Sequence, residues 1–129
     1  MWGAVLFVGL GGALGAVSRY GLSVFAARFL GSEFAWGTLS ANLLGCLLIG
    51  MAVALADARF ILGPSERLFF VTGFLGAMTT FSTYGLETVL YARSGHWPIG
   101  LLNVVVNHLL GLALVVVGLW LGGRIVAGE

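Results

Sequence analysis

Four long apolar segments restrict this chain more than any other feature. They cover residues 2–27, 34–56, 68–92 and 97–121, and only short connections separate them. A membrane helix needs about 20 mainly apolar residues, so each segment can cross a bilayer. The sequence therefore predicts an all-α membrane protein with four transmembrane helices, in which residues 1–129 form a single four-span transmembrane domain.

The composition supports this interpretation. Of the 129 residues, 60% are hydrophobic and only 9% are charged, whereas a soluble domain carries about 25% charged residues. We therefore expect a multi-pass protein of the cell membrane (plasma or inner), surrounded by the lipid bilayer. The net charge is +1 and the chain contains no lysine, which argues against a nucleic-acid partner.

The third segment contains GFLGAMTTFSTYG, residues 73–85, which is a poor continuous helix. Gly73 and Gly76 weaken the helix, and hydroxyl side chains crowd around Phe81. Irregular backbone at membrane depth is tolerated only where protein buries it or where it lines a polar cavity. The sequence therefore predicts a third helix broken near mid-membrane, around residues 76–79. The carbonyl groups freed there suit a hard monovalent cation such as Na⁺.

Amide side chains interrupt two of the other segments. Asn42 shares a helical face with Thr38 and Gly45 in the second segment, and Asn103 and Asn107 lie four residues apart in the fourth. An amide offers two N–H donors, and an unpaired one in hydrocarbon is costly. These amides therefore either face a ligand or form hydrogen bonds between helices. For His108, next to them, we expect a buried, hydrogen-bonded ring and not a metal ligand.

The third segment also carries a carboxylate and two aromatic rings near its hydroxyls. Glu87 is the only acidic residue in any of the four segments. An intramembrane carboxylate indicates function by default, although a hydrogen-bonded group near Arg93 at the end of the span explains it equally. Phe81 and Tyr84 are three residues apart and project to similar sides. A positive ring edge can contact an anion, and together with neutral donors it makes a path that does not trap the ion.

The arginines bear on how the chain enters the membrane. With four spans, one side would hold Arg59, Arg67 and Arg124, and the other Arg19, Arg28 and Arg93. Orientation is normally set by an excess of Lys and Arg in cytoplasmic loops, and here the two sides are equal. We therefore predict insertion in both orientations and an antiparallel dual-topology dimer; a weak preference for one orientation is the alternative. Glycine spacings such as Gly11 to Gly15 predict close helix packing.

Three motifs make the chain resemble a known family. GGALGAVSRY (11–20), WGTLSANLLGCLLIG (36–50) and GFLGAMTTFSTYG (73–85) occur in the order and spacing of the microbial Fluc/CrcB fluoride channels. The resemblance implies a dual-topology homodimer, two pores, a central structural Na⁺ and passive export of fluoride that confers fluoride resistance.

The resemblance also implies roles for individual residues. The carbonyls of Gly76 and Thr79 would bind Na⁺, and Arg19 would lie near a pore entrance. The implied pore-lining residues are Asn42, Phe81, Ser82, Thr83 and, beyond the rings, Glu87. Where this chain has Tyr84 the family usually has Phe, and where it has Asn103 and Asn107 the family commonly has Tyr and Ser. These three residues are candidates for the same pathway with altered chemistry, and they leave open a second, paralogous subunit as the partner.

Two other functions remain possible from the sequence. A small proton-coupled multidrug-type exporter would use Glu87, although that class keeps its essential Glu in the first span, which here has no acid. A non-transporting membrane scaffold would use the polar residues only to join helices. The chain has no paired carboxylates, His/Cys cluster or nucleophile elbow, so we expect no enzyme.

Overall fold

The computed structural model describes residues 2–57 and 63–128, which form helices joined by short connections, with no strand among them. The elements are α1 (Trp2–Leu30), α2 (Trp36–Asp57), α3 (Pro64–Arg67), a π-helix (Leu68–Leu75), α4 (Gly76–Met78), α5 (Phe81–Arg93) and α6 (Trp97–Ala127). The prediction of an all-α protein is confirmed. Arg59, which the count of arginines used, lies outside the described residues.

Three helices of this fold are long and apolar enough to cross a membrane: α1, α2 as far as Ala56, and α6. The third predicted span begins and ends close to the expected positions, but no single helix covers it. It consists of the π-helix, α4 and α5, with an interruption at Thr79 and Thr80. The predicted interruption is therefore confirmed, but it lies at Thr79 and Thr80, since Gly76–Met78 are still helical.

A π-helix forms the first half of the third span, and no sequence pattern predicted it. Its wider turns, with i→i+5 hydrogen bonds, are rare and usually last a single turn, but here they run from Leu68 to Leu75. The preceding α3 starts at Pro64, with extended Gly63 as its N-cap. Pro has a helical φ and lacks the N–H that would be unpaired there, so it suits the first position of a helix.

Glycines let α1 lie directly on the backbone of the π-helix. Gly11 and Gly15 are buried, and a Cβ atom on either would overlap a carbonyl oxygen, that of Phe69 or Phe74 respectively. From the other side, a Cβ on Gly73 would lie 2.7 Å from the carbonyl oxygen of Val8. The close packing predicted from the Gly11 to Gly15 spacing is confirmed.

A second glycine contact joins α2 to α6. A Cβ on Gly50 would lie 3.1 Å from the Cα of Gly118, and a Cβ on Gly118 would lie 3.0 Å from the backbone nitrogen of Met51. Helix α5 approaches the same helix at Gly100, where a Cβ would lie 3.1 Å from the carbonyl oxygen of Thr88. Helices α5 and α2 therefore both pack on α6, and this arrangement brings the interruption of the third span beside α2.

Candidate functional site

The interruption consists of two extended residues between α4 and α5. Thr79 has φ −82° and ψ 154°, and Thr80 has φ −150° and ψ 117°. The Thr80 hydroxyl oxygen accepts a hydrogen bond from the backbone N–H of Thr83 at 3.2 Å. This is an N-cap, the role that Thr performs well at the start of a helix. The cap explains why the helix resumes at Phe81.

Asn42 of α2 pairs with the extended peptide at Thr80. The Thr80 N–H donates to Asn42 Oδ1 at 2.8 Å, and Asn42 Nδ2 donates to the Thr80 carbonyl at 3.3 Å. A helix would have satisfied both of these backbone groups internally, so one amide replaces two lost helical partners. Asn42 Nδ2 also donates to Asn107 Oδ1 at 3.1 Å. The structure thus brings together the break and two of the predicted site residues.

Three hydroxyls gather at the start of α5. The Thr80 hydroxyl donates to Thr83 Oγ1 at 3.0 Å, and Ser82 Oγ lies 3.2 Å from Thr80 Oγ1. Because Thr83 Oγ1 accepts this bond, its own hydrogen is left to donate elsewhere. Ser82 is exposed in the single subunit and Thr83 is half-buried. Both predicted residues therefore stand at the break with hydroxyls close to its surface.

A cavity of about 410 Å³ lies against the break. Six of the residues that line it are Asn42, Gly76, Thr79, Phe81, Tyr84 and Asn107. The ring centroids of Phe81 and Tyr84 are 5.5 Å apart, and Tyr84 is buried while Phe81 is 79% exposed. Six residues predicted for the pathway or the cation thus border one space, with an uncovered aromatic ring at its edge.

The break also changes the partners of two carbonyl groups. In a continuous helix, Gly76 O would accept from the N–H of Thr80 and Thr79 O from that of Thr83. Here the Thr80 N–H donates to Asn42 and the Thr83 N–H donates to the Thr80 hydroxyl. Both carbonyl oxygens have therefore lost their helical donors, and both residues border the cavity. Hard oxygens of this kind fit a monovalent cation.

A second cavity, of about 580 Å³, lies near the ends of α1 and α5 and includes Glu87 and Thr38 among its lining. The Thr38 hydroxyl donates to Glu87 Oε1 at 2.8 Å. Glu87 Oε2 is buried and has no hydrogen-bond partner within the described residues. Arg19 is half-buried and belongs to neither cavity lining, but its carbonyl accepts from Ser23, which lines this second cavity.

The amides of α6 are bonded to one another and to α5. Asn107 Nδ2 donates to Asn103 Oδ1 at 2.9 Å, and Asn103 Nδ2 donates to the Thr88 hydroxyl at 2.9 Å. Asn103 has no exposed surface in the single subunit. Sequence reasoning missed Thr88. Its spacing of four from Tyr84 and eight from Thr80 is the signal that would have found it, because these positions share one helical face.

His108 differs from the expectation of a buried ring. It is exposed in the single subunit, because it projects from α6 beside the cavity and not between helices. Its Nδ1 lies 2.9 Å from the carbonyl oxygen of Val104, one turn earlier, so the expected hydrogen bond is present. Tyr84 OH lies 3.5 Å from the same nitrogen. Within residues 2–57 and 63–128, no three His, Cys, Asp or Glu side chains form a metal-binding group.

Comparison with known proteins agrees with this geometry. The profile of the CrcB-like proteins, described as Camphor Resistance (CrcB), matches residues 6–119. This chain belongs to the CrcB-like family. Membership and the three long apolar helices make it a multi-pass membrane protein.

Curated relatives resemble the chain along most of its length. A protein of Salinibacter ruber is 50% identical over 114 residues, which are 88% of this chain and 85% of the relative. One of Acidobacterium capsulatum is 44% identical over 122 residues, 95% of this chain and 98% of the relative. One of Maridesulfovibrio salexigens is 42% identical over 122 residues, 95% of this chain and 97% of the relative. All three are named "Fluoride-specific ion channel FluC". The resemblance inferred from the three motifs is confirmed.

Proposed function

We propose that this CrcB-like protein is a fluoride-selective passive ion channel, which exports fluoride from the cytoplasm and so confers fluoride resistance. The observation that carries the proposal is the interrupted third span, which places ring edges against a cavity and the Ser82 and Thr83 hydroxyls at the break, in a chain 50% identical to a named fluoride channel. An ion channel is not an enzyme, in agreement with the expectation from the sequence. We assign it to the plasma or inner membrane of the cell.

Fluoride is a small anion held by strong hydration, so a selective pathway must replace its water with donors that bind it weakly enough to release it. Ser82 and Thr83 supply hydroxyl donors at the surface of the break. The edges of Phe81 and Tyr84 supply positive potential without a formal charge. We propose that fluoride passes these four residues and the Asn42 side of the cavity.

We further propose that the functional unit is a pair of antiparallel copies, identical or paralogous. Phe81 is 79% exposed in the single subunit, which leaves a ring beside the polar break available to a second chain. A Cβ on Gly76 would meet no atom of this chain closer than 3.8 Å. Packing within the subunit therefore does not require glycine at this position, whereas close approach of a second copy would.

We propose a structural Na⁺ at the centre of that pair, bound by the carbonyl oxygens of Gly76 and Thr79. The donors that these oxygens would have in a helix are bonded to Asn42 and to Thr80 instead. Two carbonyls from each of two copies would supply four oxygens, a set that suits a hard monovalent cation. A bound Na⁺ would reduce the repulsion among these four carbonyl oxygens and so stabilise the backbone at the break.

Arg19 and Glu87 belong, in our proposal, to the outer parts of the pathway. Glu87 lines the second cavity, and Ser23, one turn after Arg19, lines it as well. A cation at the entrance would raise the local fluoride concentration. Glu87 would lie beyond the rings, where its carboxylate competes with fluoride for the same donors, including Thr38.

The deciding experiment is ion efflux from liposomes that contain the purified protein. We expect rapid efflux of fluoride, much slower efflux of chloride, and loss of fluoride efflux in Phe81→Ile. Because Phe81 is exposed, this change removes a ring edge without opening a cavity inside the subunit. Equal fluxes of fluoride and chloride would contradict the proposal.

One observation supports a second candidate function. Glu87 Oε2 is buried and unpaired among the described residues, as expected of a proton-carrying group. A proton-coupled multidrug-type exporter would accumulate its substrate when a pH gradient is imposed, and Glu87→Gln would abolish that uptake. Absence of any ion or solute flux through the purified protein would instead favour a scaffold.

A further inference from the structure

Three asparagine side chains connect α6 to the break through a continuous series of hydrogen bonds, which we call the amide ladder: Asn42, Asn103 and Asn107. From the break, the Thr80 N–H donates to Asn42 Oδ1 at 2.8 Å, and Asn42 Nδ2 donates to Asn107 Oδ1 at 3.1 Å. Asn107 Nδ2 then donates to Asn103 Oδ1, and Asn103 Nδ2 to the Thr88 hydroxyl oxygen, both at 2.9 Å.

The direction of the amide ladder is fixed at both ends. At one end the Thr80 backbone N–H can only donate. At the other end the Thr88 hydroxyl donates its hydrogen to the Tyr84 carbonyl at 2.9 Å, and a carbonyl can only accept. Rotating any one amide by half a turn would bring two oxygens or two NH₂ groups together. The ladder therefore admits one orientation of all three side chains.

The amide hydrogens of Asn107 and Asn42 are already used in hydrogen bonds within the protein. Asn107 Nδ2 has two hydrogens, which donate to the side-chain and the backbone oxygen of Asn103 at 2.9 and 3.0 Å. Asn42 Nδ2 likewise donates to Asn107 and to the Thr80 carbonyl. Asn103 is fully buried. An anion could reach the donors of Asn107 only by breaking bonds that the protein already makes.

We propose that Asn103 and Asn107 are positioning residues, which act through Asn42 to hold the Thr80 peptide extended, and that they do not contact the permeating ion. The two ends of the amide ladder, at Thr80 and at the Tyr84 carbonyl, lie on either side of residues 81–83. The ladder therefore fixes the segment that bears the exposed hydroxyls and Phe81. This inference deepens the proposed function and rests on it for its transport readout.

A double-mutant cycle on Asn42 and Asn107 tests the inference by fluoride efflux from liposomes at low protein density. Two quantities are separated: the fraction of liposomes that empty, which counts assembled channels, and the rate constant of emptying, which reports on each channel. We expect Asn107→Leu to lower the rate constant about 5- to 100-fold, the range set by leaving a buried polar group unpaired, with an unchanged fraction. A pure folding defect would lower the fraction instead.

The double variant decides between positioning and contact. If Asn107 acts through Asn42, then Asn42→Leu/Asn107→Leu is slower than the slower single variant by no more than about twofold. Losses that multiply would mean that each residue meets the ion independently, and would overturn the inference. Ser40→Ala is the matched control, because within the described part of the chain its hydroxyl bonds only to Trp36 O of the same helix, at 2.6 Å. We expect its rate to equal that of the wild type.

Two further measurements keep the inference testable. If Asn107→Leu does not assemble, the isosteric Thr88→Val removes the last acceptor of the ladder, and a rate equal to that of the wild type would overturn the inference. If the wild type itself passes no fluoride, the proposed function fails, and thermal unfolding in detergent takes over as the readout for the same cycle. A double variant whose shift in Tm is smaller than the sum of the single shifts supports the ladder, and additive shifts contradict it.

Discussion

The two halves of the third span are held in place by different forces. Residues 68–78 pack on α1 through backbone contacts at glycines, where a Cβ on Gly11 or Gly15 would overlap a carbonyl oxygen. Residues 80–93 also approach a glycine of α6, at Gly100, but side-chain hydrogen bonds tie them to α2 and α6, including those of Asn42 to Thr80 and of Thr38 to Glu87. Close backbone contact dominates in the first half, whereas polar side-chain contacts are added in the second half.

This difference predicts which substitutions affect folding and which affect fluoride transport. A glycine contact has no alternative arrangement, because an added methyl group collides with backbone that cannot move without bending a helix. Hydrogen bonds to hydroxyls and amides leave the helices in place when one bond is lost, and they change the orientation of donors along the break. We therefore expect substitutions in the first half to abolish the folded protein, and substitutions in the second half to leave a folded protein with altered fluoride efflux.

The largest effect should come from Gly15→Ala in the first contact. The added Cβ would overlap the Phe74 carbonyl oxygen and lie 3.1 Å from the Met78 nitrogen, so α1 and the π-helix must separate. We expect a loss of about 3 kcal/mol or more in the free energy of unfolding, seen as aggregation on size-exclusion chromatography. Gly12→Ala is the matched control, because its Cβ would lie 3.9 Å from the nearest atom, Gly73 O. If Gly15→Ala and Gly12→Ala were equally stable, the close contact at Gly15 would not be what holds the first half in place.

Gly45→Ala tests the boundary between the halves and should have an intermediate effect. Its Cβ would overlap the Cγ2 methyl of Thr79, a side-chain atom, while Thr79 Oγ1 donates to Leu75 O at 3.0 Å. We expect about 1–3 kcal/mol of destabilisation and slower fluoride efflux, since the break must shift. The double variant Gly45→Ala/Thr79→Ser lacks that methyl and retains the hydroxyl. This double variant should recover most of the stability and most of the fluoride efflux. If neither recovers, the overlap with the Thr79 methyl is not the cause of the loss.

Thr38→Val should have a smaller effect, confined to the second half. It removes the donor to Glu87 Oε1 while preserving the shape of the side chain. A hydrogen bond to a carboxyl group contributes about 1.5–3 kcal/mol when buried and less at a half-buried site such as this one. We expect a modest fall in Tm and an altered rate of efflux, measured beside Thr38→Ser, which retains the hydroxyl. A loss in Thr38→Ser as large as in Thr38→Val would show that the hydroxyl alone does not account for the effect.

The two halves also differ in how well the sequence predicts them. The hydroxyl-rich stretch predicted the break, and the isolated amides predicted residues that lie beside it. Polar groups in an apolar segment need hydrogen-bond partners, and these segments contain only a few polar side chains. The π-helix at residues 68–75 was missed because its residues are apolar except for Thr72, so no periodicity separates wider turns from an α-helix. The exposure of His108 was missed because periodicity does not specify which face a neighbouring helix covers.

The hydrogen bonds among the amides of the site could likewise not be predicted from the sequence. Spacing placed Asn103 and Asn107 on one face, and the resemblance suggested that they line the pathway. Which partner each amide has depends on how far apart α2, α5 and α6 lie, and glycine contacts such as Gly50 against Gly118 set that separation. Candidate residues can therefore be found from the sequence, whereas the division between ion contact and positioning requires the distances between helices.

The smallest predicted effect concerns the Tyr84 hydroxyl, which is absent from the Phe that the resemblance led us to expect at this position. The ring packs against Phe81, and the hydroxyl lies 3.5 Å from His108 Nδ1, a long contact that contributes little. Nδ1 must carry a proton to donate to the Val104 carbonyl, so toward that nitrogen the Tyr84 oxygen can only accept. Its hydrogen points elsewhere, and the ring edge alone suffices for the proposed contact with fluoride. We expect Tyr84→Phe to change the efflux rate by less than about threefold, or roughly 0.6 kcal/mol. A loss of more than about tenfold would show that the Tyr84 hydroxyl donates to the ion beside the hydroxyls of Ser82 and Thr83.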